Sequence, residues 1–233
     1  MPIVVGKGSL VPLAMLAGLF ALYSSGASML LLLGAAALGG VGGGVSLIVH
    51  ELGHVRAARR VRGIKPVRIS LLWVGAGTKF EGAYRSGRDQ ARVALAGPAA
   101  SCAFAAALLA IALMPMPRPV QLGIFGLAIL NLAIGIFSLL PIYPLDGHKL
   151  LVGLLWRRTR SQGQAKAILR RAGGVWLVVE GIACAVLAVE KPVLGSVVLA
   201  SGVLLLLQKR ISARRRQTPR RASFRATKSA RSR

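Results

Sequence analysis

The stretch MLLLLGAAALGGVGGGVSLIVHELGHVRAARR, residues 29–60, decides how the rest of the chain is read. From Met29 to Val49 it is apolar apart from Ser46, and a membrane-crossing helix needs roughly 20 such residues at about 1.5 Å rise each. Three ionisable side chains, His50, Glu51 and His54, then stand at its end, ahead of a run of arginines. A charged group at mid-bilayer costs about 2.5–3.5 kcal/mol, a cost usually tied to a site. A helix end that merely reaches the membrane surface needs no two histidines one turn apart with a carboxylate between them.

The whole chain suits a bilayer. Of its 233 residues 55% are hydrophobic, and the mean hydropathy of +0.64 exceeds what a water-facing surface tolerates. Further apolar segments lie near Ser9–Tyr23, Ala91–Met114, Val120–Leu140, Gly174–Val189 and Val193–Leu207. With Met29–Val49 they predict an all-α membrane protein of about six transmembrane helices. The first segment is short, and could instead be re-entrant or extend backwards through Pro2 to Val5. Residues 1–207 then form one membrane core, and residues 208–233 a disordered basic tail.

The net charge of +25 raises the question of nucleic acid, and the placement of the charges answers it. Ten basic residues lie between Arg56 and Arg92, six between Arg157 and Arg171 and eleven from Lys209 to Arg233, whereas the opposite side holds only Arg118 and Lys191. Lysine and arginine accumulate on the cytoplasmic side of membrane segments, so a multi-pass protein with both termini in the cytoplasm is expected. The partner is the anionic lipid bilayer, to which the tail would attach, and no specific nucleic acid. High Ala, Gly and Arg content suggests a bacterial plasma membrane. Cys102 and Cys184 sit in apolar stretches without ligand spacing and read as packing residues.

Two segments depart from the helical pattern. Alternation at Val67, Ile69, Leu71 and Trp73, with Gly75-Ala76-Gly77 as a turn before Thr78 to Glu81, predicts a small cytoplasmic-side β-hairpin at the membrane interface. Ala165, Ile168, Leu169 and Ala172 recur at helical spacing among cations, as in a short helix on an anionic surface. The glycines Gly39, Gly40 and Gly42 to Gly44 indicate close helix packing, with a hinge for substrate entry as the sharper alternative. Ala96-Gly97-Pro98 indicates tight approach with a local kink.

In His50-Glu51-Leu-Gly-His54 the histidines at i and i+4 share one helix face and can hold one metal ion between them. Bound zinc acidifies water, and the adjacent Glu51 can take the proton. A catalytic zinc wants three protein ligands and an open position. Among the six acids, Asp146 alone shares Glu51's setting, an apolar stretch at a cytoplasmic helix end, in Leu139-Leu-Pro141-Ile-Tyr-Pro144-Leu-Asp146-Gly147. Pro141 and Pro144 break the helix there and could aim the carboxylate at the metal. A cap on the helix around Lys149 to Trp156 competes for the same side chain.

His50-Glu-Leu-Gly-His54, then Ala57-Ala58-Arg59-Arg60, Ala96-Gly97-Pro98, and Pro141 with Pro144-Leu-Asp146-Gly147, resemble the site-2 protease family of intramembrane zinc metalloproteases over residues 40–155. The resemblance implies zinc on His50, His54 and Asp146, Glu51 as general base, and a membrane-anchored regulatory protein as substrate. It also implies that the hairpin offers an edge to which unwound substrate adds as a strand. Ser138 stands where the family often has an asparagine that positions substrate, and Pro141 and Pro144 belong to the same stretch. His148 replaces a common glycine, and reads as exposed, a spare ligand or a partner behind the ligands. These departures motivate a second reading, a catalytically silent relative acting as a membrane adaptor.

Overall fold

In the computed structural model, which describes residues 2–5, 29–72 and 75–171, the histidine-bearing stretch is helical without a break from Met29 to Ala58. It comprises α1 (Met29–Ala37), a π-helical turn (Leu38–Gly42) and α2 (Gly43–Ala58). The turn falls on the glycine-rich segment, where Gly39, Gly40 and Gly42 lack a Cβ and tolerate the wider winding. The packing reading holds at Gly42, because a Cβ there would lie 2.7 Å from the Leu127 side chain.

Two longer helices follow: α3 (Gly87–Ala112) and α4 (Arg118–Ser138). The sequence pattern places the start of α3 at Ala91. It begins earlier because Ser86 caps it, its Oγ accepting from the Asp89 amide at 3.1 Å and donating to Asp89 Oδ2 at 2.8 Å, worth about 1 kcal/mol. Both helices are long and apolar enough to cross a membrane, and only 28% and 22% of their most apolar windows is buried. Ile111, Phe125, Ile129, Ile136 and Phe137 are among the large apolar side chains left exposed, as lipid-facing surfaces are. Leu108 of α3 packs with Leu127 and Ala128 of α4. Asn131 of α4 reaches α2, its Nδ2 donating to Ser46 Oγ at 2.8 Å.

After Ser138 the chain turns through Pro141 and Pro144 into α5 (Asp146–Thr159). Residues 162–171 are helical as well. Here the expectation of a surface-lying helix changes: Ala165 and Leu169 are buried against Val152 of α5, and Ile168 is exposed. A neighbouring helix thus covers part of the face that lipid was expected to meet.

The hairpin is present with a third strand added. β2 (Ile64–Leu72) pairs antiparallel with β3 (Gly75–Gly82), and β1 (Ile3–Val5) lies parallel to β2, in the order β1-β2-β3. Residues 3–5 are therefore extended rather than a continuation of a helix. The expected turn also moves, since Gly75, Ala76 and Gly77 already pair with Leu72, Leu71 and Ser70. Ile69 is buried, while Ile64 and Phe80 pack with Ala58 of α2 and Val93 of α3. The expected segments Ser9–Tyr23, Gly174–Val189 and Val193–Leu207, the tail, and Trp73 lie outside the described residues.

Candidate metal centre

One face of α2 presents His50, Glu51 and His54, all buried, with donor atoms within 4.8 Å of one another. Asp146 comes in from the first turn of α5. Its Oδ2 lies 3.1 Å from His50 Nε2 and 3.0 Å from His54 Nε2. The capping alternative is not the geometry found, because Leu145 is the N-cap residue and no side chain caps the helix. Gly147 makes the approach possible: a Cβ there would run into the Leu139 and Leu140 carbonyls of the preceding turn.

The hydrogen bonds around the imidazoles limit what can lie between these atoms. His54 Nδ1 lies 2.7 Å from the Val93 carbonyl, which only accepts, so Nδ1 carries the proton. In neutral His54 the Nε2 is then bare, and it faces a carboxylate oxygen at 3.0 Å. Two lone-pair atoms at that distance need a proton or a cation between them. His50 Nδ1 lies 2.9 Å from Ser101 Oγ, a hydroxyl that can accept from it or donate to it, and Nε2 is likewise turned toward Asp146. Zinc with bonds of about 2.0–2.1 Å holds tetrahedral donors roughly 3.3 Å apart, close to the spacing of Asp146 Oδ2 from both imidazoles. Two histidines and one carboxylate fit that ion.

Glu51 differs from Asp146 in its surroundings. Its Oε2 accepts a 2.6 Å hydrogen bond from Thr78 Oγ1 of β3. Asp146 Oδ1 instead accepts from Lys149 Nζ at 2.7 Å. One carboxylate thus lies between the histidines and the other beside them, tied to the sheet.

Of the remaining residues singled out in the sequence, Ser138 is buried and donates its hydroxyl to the Gly135 carbonyl at 2.9 Å. Pro141 and Pro144 are half-buried in the turn ahead of Asp146. His148 is half-buried, edge-on to Tyr143 at 5.7 Å between ring centroids, and is not in the donor cluster. Burial first, then Lys149, hold its imidazole below the ordinary value. Ala96-Gly97-Pro98 serves the site directly, because the His54 ring occupies the space that a Cβ on Gly97 would fill.

The sequence marks Thr78 only as part of the hairpin, and it singles out neither Ser101 nor the Val93 carbonyl. Ser101 carried a faint signal, a lone hydroxyl in an apolar helix one turn after Gly97. Outer partners of this kind fix the tautomer and orientation of a metal-binding histidine. Ser101→Ala should therefore weaken zinc binding roughly 10–100-fold, measured by titration against a competing chelator, with the helical circular dichroism unchanged.

The sequence profile of peptidase family M50 matches residues 40–121 and 118–179, a span that includes His50, Glu51, His54 and Asp146. The chain belongs to peptidase family M50. The family is the one that the sequence resemblance indicates. Among relatives of this M50 chain, the candidate zinc metalloprotease Rip3 of Mycobacterium tuberculosis is 38% identical over 144 residues, 58% of this chain and 36% of Rip3. The zinc metalloprotease MJ0392 of Methanocaldococcus jannaschii is 31% identical over 120 residues, 49% of this chain and 33% of its own length. The chain spans about a third of the length of the relatives it matches. In fold, the M50 chain is similar to the solved site-2 protease from Methanocaldococcus jannaschii, with a TM-score of 0.58, 23% identity and coverage of 86% of this chain and 87% of that one.

Proposed function

We propose that this chain is a zinc-dependent endopeptidase that cuts peptide bonds within or beside the bilayer. The observation that carries the reading is the convergence of His50 Nε2, His54 Nε2 and Asp146 Oδ2, with the Glu51 carboxylate beside them. These three donors would hold zinc, which when bound would supply a Lewis acid for the scissile carbonyl and lower the pKa of water. Glu51 takes the proton of the attacking water and passes it to the leaving amine nitrogen. Ser101 and the Val93 carbonyl keep the imidazoles turned toward Asp146 throughout.

The substrate is a membrane-anchored regulatory protein. Its cleavable segment unwinds and adds to the free edge of β3, which among the described residues pairs with β2 alone. Ser138 and the Pro141–Pro144 turn act in positioning substrate. Six spans with both termini in the cytoplasm of a bacterial plasma membrane, and a disordered basic tail over residues 208–233, complete the reading. The charge distribution along the sequence supports it.

The test is cleavage of a reporter in detergent micelles: a single Leu/Ala-rich span of about 20 residues with a fluorescent protein at its cytoplasmic end. Phenanthroline should stop cleavage and added zinc restore it. Cleavage that survives complete removal of metal would overturn the reading, and binding of the reporter without cleavage by zinc-loaded protein would favour the adaptor.

A further inference from the structure

Thr78 lies on the strand with the open edge and touches the one acidic side chain of the centre that does not lie between the histidines. Thr78 and Phe80 share the face of β3 turned toward α2 and α3, while Lys79 and Glu81 are exposed. The 2.6 Å separation from Glu51 Oε2 is that of a short hydrogen bond in which the hydroxyl donates to a carboxylate oxygen. Glu51 has no other hydrogen-bond partner among the described residues. The helix that carries Glu51 sets where its side chain starts, and the sheet sets where the carboxylate ends.

From this contact we infer that Thr78 is a positioning residue for Glu51. It fixes one carboxylate oxygen so that the other faces the reacting water, which makes the sheet a working part of the proton-transfer machinery. The inference rests on Glu51 as the general base. Because β3 is also the strand expected to receive substrate, an incoming strand settles against the element that holds the base, and docking and base alignment share one support.

Thr78→Val keeps the β-branched shape and removes the hydroxyl, and Thr78→Ser keeps the hydroxyl. With the reporter described above, Thr78→Val should lower kcat about 10- to 100-fold with KM within about twofold. Thr78→Ser should recover most of the rate, and both variants should retain wild-type zinc content. A readout independent of turnover is the carboxylate stretch of Glu51 in zinc-loaded protein carrying carbon-13 glutamate, isolated by subtracting the Glu51→Gln spectrum. With four glutamates in the chain, the band is separable. Thr78→Val should shift it and Thr78→Ser leave it in place.

An unshifted band and unchanged kcat in Thr78→Val would overturn the inference, as would Thr78→Ser impaired as badly as Thr78→Val. If Glu51→Gln itself cleaves at the wild-type rate, the base assignment fails first and the role of Thr78 falls with it.

Discussion

Replacing Asp146 with alanine should leave the purified protein largely free of zinc. The Asp146 carboxylate is buried, with one oxygen 3.1 and 3.0 Å from the two imidazoles. Loss of an outer partner costs a zinc site roughly 10–100-fold in affinity, so loss of one of the three proposed ligands should cost more. Zinc per chain, measured by elemental analysis after dialysis against a weak chelator, should fall from about one, the count for a single three-ligand site, toward zero, and reporter cleavage with it. Lys149→Met separates the ligand from its ion pair, since it removes the Oδ1 partner and leaves Oδ2 between the histidines. That variant should keep its zinc. Wild-type occupancy in Asp146→Ala would move the third ligand elsewhere, with Glu51 the carboxylate grouped with both histidines among the described residues.

Glu51→Gln should separate metal binding from chemistry. Glutamine has nearly the same shape, and its amide oxygen can still accept from Thr78, so zinc content and helical circular dichroism should match the wild type. Glutamine cannot take a proton at neutral pH, and losing a positioned base typically costs 10²- to 10⁴-fold. The variant should bind the reporter and fail to cut it. Full activity in Glu51→Gln would remove the carboxylate from the mechanism.

Much of this arrangement is legible in the sequence. Helical geometry places residues i and i+4 on one face, so the pairing of His50 and His54 needed only the sequence. Asp146 could be singled out because so few acids occur in the chain. The hairpin was legible from its period of two, but its turn was misplaced by glycines that belong to the start of β3. A three-residue strand such as β1 carries no periodic signal at all, and its pairing with Ile69 to Leu71 exists only in the folded chain. Thr78 and Ser101 were hidden for a related reason: each acts through one hydroxyl across a tertiary contact. The Val93 carbonyl could not be read from any side chain, because every residue has that group.

The reach of Asp146 has a mechanical side. His50 and Asp146 stand 96 positions apart, on helices that the chain joins only through a sheet and two long apolar segments. An ion bound to both bridges the ends of that long loop in the folded chain, whereas in the unfolded chain bringing those ends together carries a loop-closure cost that grows with loop length. Ligand held only by the folded form stabilises it by about 2.7 kcal/mol at a hundred times its dissociation constant. Metal supply would then govern how much of the protein survives heat and proteolysis as well as how fast the proposed reaction runs.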